Sequence, residues 1–193
     1  MSAPPRTSDN LGFLTVIDHP RYGPVGGYLV LNETGRPLEF LCTTPIKRNR
    51  TQEIFYGKTF RPFLYGEQIG QTLLNRSKTE TLFVLTDIEP VLAAQDFVEK
   101  TLVFVFGAQK TTETTQISHI SEESTCQLEG VPGLDIERWK EVKIGKRTVA
   151  VPYRQPVDWD RFVDDIQHVS RTLDIAEPFT RIRLAIEEAN KAG

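Results

Sequence analysis

The chain has 193 residues, 39% hydrophobic and 25% charged, with a formal net charge of −3, the make-up of one globular domain with or without an appendage. A chain of that size buries a core without staples, and two cysteines (Cys42, Cys126) with three scattered histidines argue against both a disulfide framework and a Cys/His zinc site. The acidic balance excludes a global basic field, so a nucleic-acid partner would be held by a local patch or through metal ions; with no apolar run near the roughly 18 residues of a bilayer span and no signal-peptide core, the expectation is a cytoplasmic protein with no membrane partner.

In chain order, residues 1–10 are rich in Pro and Ser and predict a disordered tail. "GFLTVID" (12–18) reads as a first strand of large and β-branched residues. "HPRYGPVGG" (19–27), with two prolines and three glycines, reads as a loop. "GYLVLN" (27–32) is a second strand, "ETGRP" (33–37) a turn, and "LEFLCTT" (38–44) the antiparallel partner. Cys42 is expected there as a small buried side chain. Residues 45–62 predict one short helix around 51–56 and then a loop.

"PFLYGEQIGQTLLNRS" (62–77) predicts a helix, with Leu64, Ile69, Leu73 and Leu74 near one stripe. "TETLFVLTD" (79–87) is a strand, and "IEPVLAAQDFVEK" (88–100) a helix with proline in its first turn. "TLVFVFG" (101–107) is a continuous apolar run, as in a strand buried on both faces. The strand–helix–strand unit at 79–107 predicts parallel pairing. Residues 11–107 thus form an α/β core.

Residues 108–135, rich in Thr, Ser and Glu, read as a polar loop or linker. Residues 136–193 read as a hairpin and two helices packed on the core. The hairpin is "EVKIGKRTVAVPY" (141–153), turning at 144–146. The helix at 158–173 gathers Phe162, Val163, Ile166, Val169 and Leu173 on one face, and a last helix spans 177–192.

Two strands end on an acid, Asp18 and Asp87, and Glu67 lies on the helix between them. Such residues also serve as turn or capping groups and as solvated helix faces. The element order βββαβαβ, and the Asp, Gly/Pro-rich loop, Gly-Gly-Tyr and second strand of "DHPRYGPVGGYLVL", resemble the ribonuclease H-like superfamily over residues 12–107. The 49 residues between Asp18 and Glu67 look more like its endonuclease V branch.

The resemblance implies a mixed sheet and a divalent-metal-dependent nuclease, a hydrolase of phosphodiester bonds. Asp18, Glu67 and Asp87 would hold Mg²⁺ or Mn²⁺, and Asp160 would complete the catalytic set. Asp164 and Asp165 on the same helix are rivals to Asp160, and Glu53 in "NRTQEI" (49–54) is a rival to Glu67. The chemistry needs such a cluster. Two metals roughly 3.5–4 Å apart stabilise both the attacking and the leaving oxygen, and hard cations take carboxylate oxygens.

"IKRNR" (46–50) supplies Lys47, Arg48 and Arg50 to position phosphates. Phe55, Tyr56, Phe60 and Phe63 either stack on unpaired bases or point into the core. The competing expectation is a non-catalytic α/β adaptor or subunit of a larger assembly with a protein partner. The acidic charge and the two amphipathic C-terminal helices motivate it. A small-molecule pocket at the strand ends is the third option.

Overall fold

Apolar, β-branched runs in the first hundred residues set the frame of the fold. In the computed structural model, which describes residues 10–107, 139–153 and 155–191, they form β1 (Leu11–His19), β2 (Gly23–Leu31), β3 (Pro37–Cys42), β4 (Phe83–Thr86) and β5 (Leu102–Val105). A hairpin of β6 (Trp139–Ile144) and β7 (Arg147–Pro152) follows. The seven strands make one mixed sheet in the order β3-β2-β1-β4-β5-β7-β6. β1, β4 and β5 run parallel; the other neighbouring pairs are antiparallel. The expected linker (108–135), and the expected tail apart from Asn10, lie outside the described residues.

The stretch 19–27, expected as a loop, is mostly strand, because β2 begins at Gly23 and pairs Pro24 with Asp18. Its paired glycines serve packing rather than turning. A β-carbon on Gly26 would lie 3.0 Å from Leu73 Cδ1, and one on Gly27 would lie 2.8 Å from Ile186 Cδ1. Successive residues of a strand face opposite sides, so Gly26 and Gly27 seat one helix on each face of the sheet.

The helical segments are α1 (Arg50–Tyr56), a 3-10 turn (Gly57–Thr59) where a loop was expected, a π-helical run (Pro62–Gly70) continuing into α2 (Gln71–Arg76), a longer 3-10 run (Glu89–Phe97), α3 (Trp159–Ser170) and α4 (Glu177–Lys191). Asn49 caps α1, accepting from Thr51 N at 2.9 Å, and Asp158 caps α3, accepting from Arg161 N at 3.2 Å. The expected α-helix at 88–100 is instead the 3-10 run. Its Ala93 and Ala94 press onto Gly66, where a β-carbon would stand 2.8 Å from Ala94 N.

Alternation along the strands divides the core into two layers. Leu11, Phe13, Leu29 and Leu85 meet Phe162, Ile166, Phe179 and Ile182 of α3 and α4. Leu14, Val16, Val30 and Val84 meet Leu64, Ile69, Leu73 and Val91 on the other side. Cys42, expected buried, is exposed. It lies on β3, at the edge of the sheet, beyond the strands that α4 covers. Among the described residues no helix is long and apolar enough to cross a membrane.

Candidate functional site

The same alternation decides where each acid points. Along β1, Phe13 faces the α3/α4 layer and Leu14 the layer of the π-helical run. Thr15 therefore faces α4, and Asp18 faces the opposite side. Asp18 Oδ2 accepts from Tyr65 of the π-helical run at 2.8 Å and forms an ion pair with Arg48. Burial pushes the Tyr65 phenol up, and the charges of Arg61 and Arg48 pull it back.

Asp87 follows β4 and is buried; its side chain has 0% exposure. The Thr15 hydroxyl donates to its Oδ1 at 2.7 Å. Arg183 of α4 forms an ion pair with its Oδ2 and places the same nitrogen 3.3 Å from Thr15 Oγ1. The register that sets Leu14 beside Thr86 brings Thr15, rather than Asp18, next to Asp87. The two strand-end acids lie on adjacent strands and point to opposite faces, each toward a guanidinium.

The remaining acids are dispersed. Glu67 is half-buried on the π-helical run. Glu53 pairs with Arg50 at 3.0 Å. Asp160, Asp164 and His168 lie on the exposed side of α3, whereas Asp165 is buried and lies 3.7 Å from Arg161 Nε. Among the described residues no group of three or more His, Cys, Asp or Glu side chains is arranged to hold a metal ion. The expected set of Asp18, Glu67, Asp87 and Asp160 is thus not brought together, and these residues do not fit a shared pair of divalent ions.

The basic surface beside Asp18 is more coherent. In the turn after β1, the His19 and Tyr22 rings stack with centroids 4.6 Å apart, and the Arg21 guanidinium lies 5.8 Å from the Tyr22 centroid. Across from it, Ile46 N donates to Pro24 O at 3.0 Å, which fixes Lys47 and Arg48 beside the turn. The backbone can approach this closely because Gly23 has φ of 88° and no side chain to meet the Ile46 carbonyl. Arg21, Lys47 and Arg48 line an open cleft of about 580 Å³ that also contains Asp18.

Next along the chain, α1 has no buried residue, and Phe55 is 82% exposed. Tyr56 stacks on Phe63 at 4.1 Å, while Phe60 packs against the core. Of the four aromatics considered for base stacking, Phe55 is the one fully presented to solvent.

No protein-family model and no curated protein matches the chain. Among solved structures it is similar to Marinitoga piezophila Argonaute, determined in complex with a 5′-OH guide RNA. The similarity has a TM-score of 0.39 and 14% identity, and covers 87% of this chain and 27% of that one.

The side chains around the cleft can bind anions and planar groups. Arg48 is partly used by Asp18; Arg21 and Lys47 are exposed and available to phosphate oxygens. The two residues that hold Asp87 were hidden in the sequence. Thr15 looks like any β-branched strand residue. Arg183 in "TRIRLAI" was detectable only as a cation next to the apolar stripe of Ile182 and Ile186.

Proposed function

We propose that the chain is a non-catalytic module of ribonuclease H-like type that holds single-stranded nucleic acid as a subunit of a larger assembly. The observation that carries the non-catalytic reading is the ion pair between Arg183 and the buried Asp87. A guanidinium held there neutralises the carboxylate as a cation would. It has no open coordination position and cannot activate a water as a bound metal does. Asp18 is neutralised in the same way by Arg48.

The fold reading is supported by the βββ-helix-β-helix-β order and by the parallel β1, β4 and β5. The binding reading is supported by Arg21, Lys47 and Arg48 around the cleft, the His19–Tyr22 stack beside it and the exposed Phe55. Cations that track a backbone and rings that stack on bases are what sequence-tolerant single-strand binding requires.

The test pairs two assays on the full chain with single- and double-stranded DNA and RNA. The expected result is salt-sensitive binding to single strands and no cleavage with Mg²⁺ or Mn²⁺. Metal-dependent cleavage that disappears in Asp87→Asn would instead support the nuclease, with Asp87 as a ligand. Failure to bind any nucleic acid at low salt would overturn the binding reading.

A further inference from the structure

The two edges of the sheet differ in chemistry. β6, at one edge, carries Lys140, Glu141 and Lys143 in six residues, and such charges discourage another strand from adding on. β3, at the other edge, carries one charged residue, Glu39. Its carboxylate is turned to the opposite face, accepting from Ser77 Oγ at 2.8 Å and from the amides of Lys78 and Thr79 at 3.2 Å. Partial burial pulls the Glu39 carboxyl upward, and these hydrogen bonds outweigh it, so its net shift is below the ordinary value.

Among the described residues, the other face of β3 is apolar and open. Leu38 is 48% exposed, Phe40 is 41% exposed, and Cys42 is exposed beside them. α4 is seated on Gly27 of β2 through Ile182 and Ile186 and packs on β1 and β2, and Leu38 and Phe40 stay exposed beside it. The backbone is open as well. Thr43 N donates to Gly26 O at 3.0 Å, so the odd-numbered residues bond to β2. Phe40 and Cys42 then direct their N–H and C=O groups away from the sheet. The one irregularity in the β2–β3 ladder is confined to the Pro37 end.

We propose that β3 is a self-association edge, on which a second copy of the chain pairs antiparallel about a two-fold axis through Phe40. Charge excludes one register, and the outward backbone groups, strand overlap and ring pairing favour the one centred on Phe40. Antiparallel neighbours on one face sit directly opposite each other, so Phe40 meets Phe40 of the second copy, Leu38 meets its Cys42, and Glu39 meets its Leu41. Moving the axis to Glu39 would oppose two carboxylates, which is destabilising. The Phe40 register opposes no like charges, joins two aromatics and lets each Phe40 exchange both backbone hydrogen bonds. A two-fold interface of this kind is complementary to itself. A single strand pair is small against the roughly 1,200 Å² of a standard stable interface, so the dimer dissociates on dilution.

Sedimentation velocity of the full chain over a concentration series tests the association. The expected result is a monomer–dimer equilibrium that is lost in Phe40→Lys while the circular dichroism is unchanged. A second variant tests the register without relying on that loss. In a Cys126→Ser background, Leu38→Cys places a thiol opposite Cys42 of the second copy, with Cα atoms about 5.5 Å apart, within disulfide range. Inside one copy the two thiols are four residues along a strand, roughly 13 Å apart, and out of reach. Oxidation is expected to yield a covalent dimer that Cys42→Ser abolishes. A monomer at every concentration, including one whose edge is taken only by a different protein, overturns the proposal. So does a dimer that survives Phe40→Lys and fails to cross-link.

Discussion

The guanidinium of Arg183, on the last helix, is seated on the carboxylate of Asp87 at the end of β4, 96 residues earlier in the chain. The Asp87 side chain has no exposed surface and that of Arg183 is 27% exposed, so the pair is costly to break from one side. Arg183→Met leaves a buried carboxylate without its arginine and is expected to cost about 3 kcal/mol. Adding Asp87→Leu removes the stranded charge and is expected to recover much of that loss. Urea unfolding of the two single variants and the double measures it. Additivity within about 0.5 kcal/mol would mean that the two side chains do not act as a pair.

Binding at the cleft makes a separable prediction. Arg21→Ala and Lys47→Ala each remove a phosphate contact, so affinity for a single-stranded oligonucleotide falls and the salt slope declines by about 0.7 per lost contact. Phe55→Ala and Tyr22→Ala remove stacking surfaces and are expected to cost about 1–3 kcal/mol per base, largely independent of sequence. Fluorescence anisotropy at several salt concentrations separates the two effects. An unchanged salt slope in the Arg21/Lys47 double variant would place the strand elsewhere.

What could be read from the residues was local. Apolar runs located the strands, and the 79–107 unit implied the parallel pairing of β4 with β5 that is observed. The hairpin was marked by its Gly145–Lys146 turn. Register is a non-local property, and the candidate site depends on it. A shift of one residue changes the face that every side chain occupies, so two acids at the ends of adjacent strands need not share a pocket. Asp18 and Asp87 differ in this way because Thr15 is the neighbour of Asp87. The glycines at 26 and 27 misled for a related reason. Adjacent glycines read as a turn, but here each clears space for an isoleucine from a different helix. Cys42 has the composition of a buried position, and only its place at the sheet edge leaves it exposed.

The seat for α4 gives a packing prediction. A methyl group on Gly27 would meet Ile182 and Ile186, the latter at 2.8 Å. Gly27→Ala should therefore lift the helix that carries Arg183, at a cost of about 1–3 kcal/mol. Ile186→Val makes room and is expected to reduce the penalty of Gly27→Ala although it is mildly destabilising alone. Thermal unfolding of the four proteins in this cycle checks the coupling. Strict additivity would show that Ile186 does not rest on this glycine.

Tyr28 gives a prediction at alkaline pH. It is fully buried on β2, and burial pushes its phenol up to about 12, with the Thr81 and Ser77 hydroxyls pulling it down and the charge of Glu39 adding to the rise. In the unfolded chain the same group titrates near about 10. Below that pH both states hold the proton and the stability is intact. Between the two values only the unfolded state releases it, so stability falls by about 1.4 kcal/mol per pH unit, reaching about 2–3 kcal/mol at the upper limit. The comparison is with Tyr28→Phe, which keeps the ring and lacks the titrating group. The variant is expected to show a flatter decline in urea-unfolding stability across this window. Parallel profiles for the two proteins would mean that Tyr28 ionises in the folded state as readily as in the unfolded one.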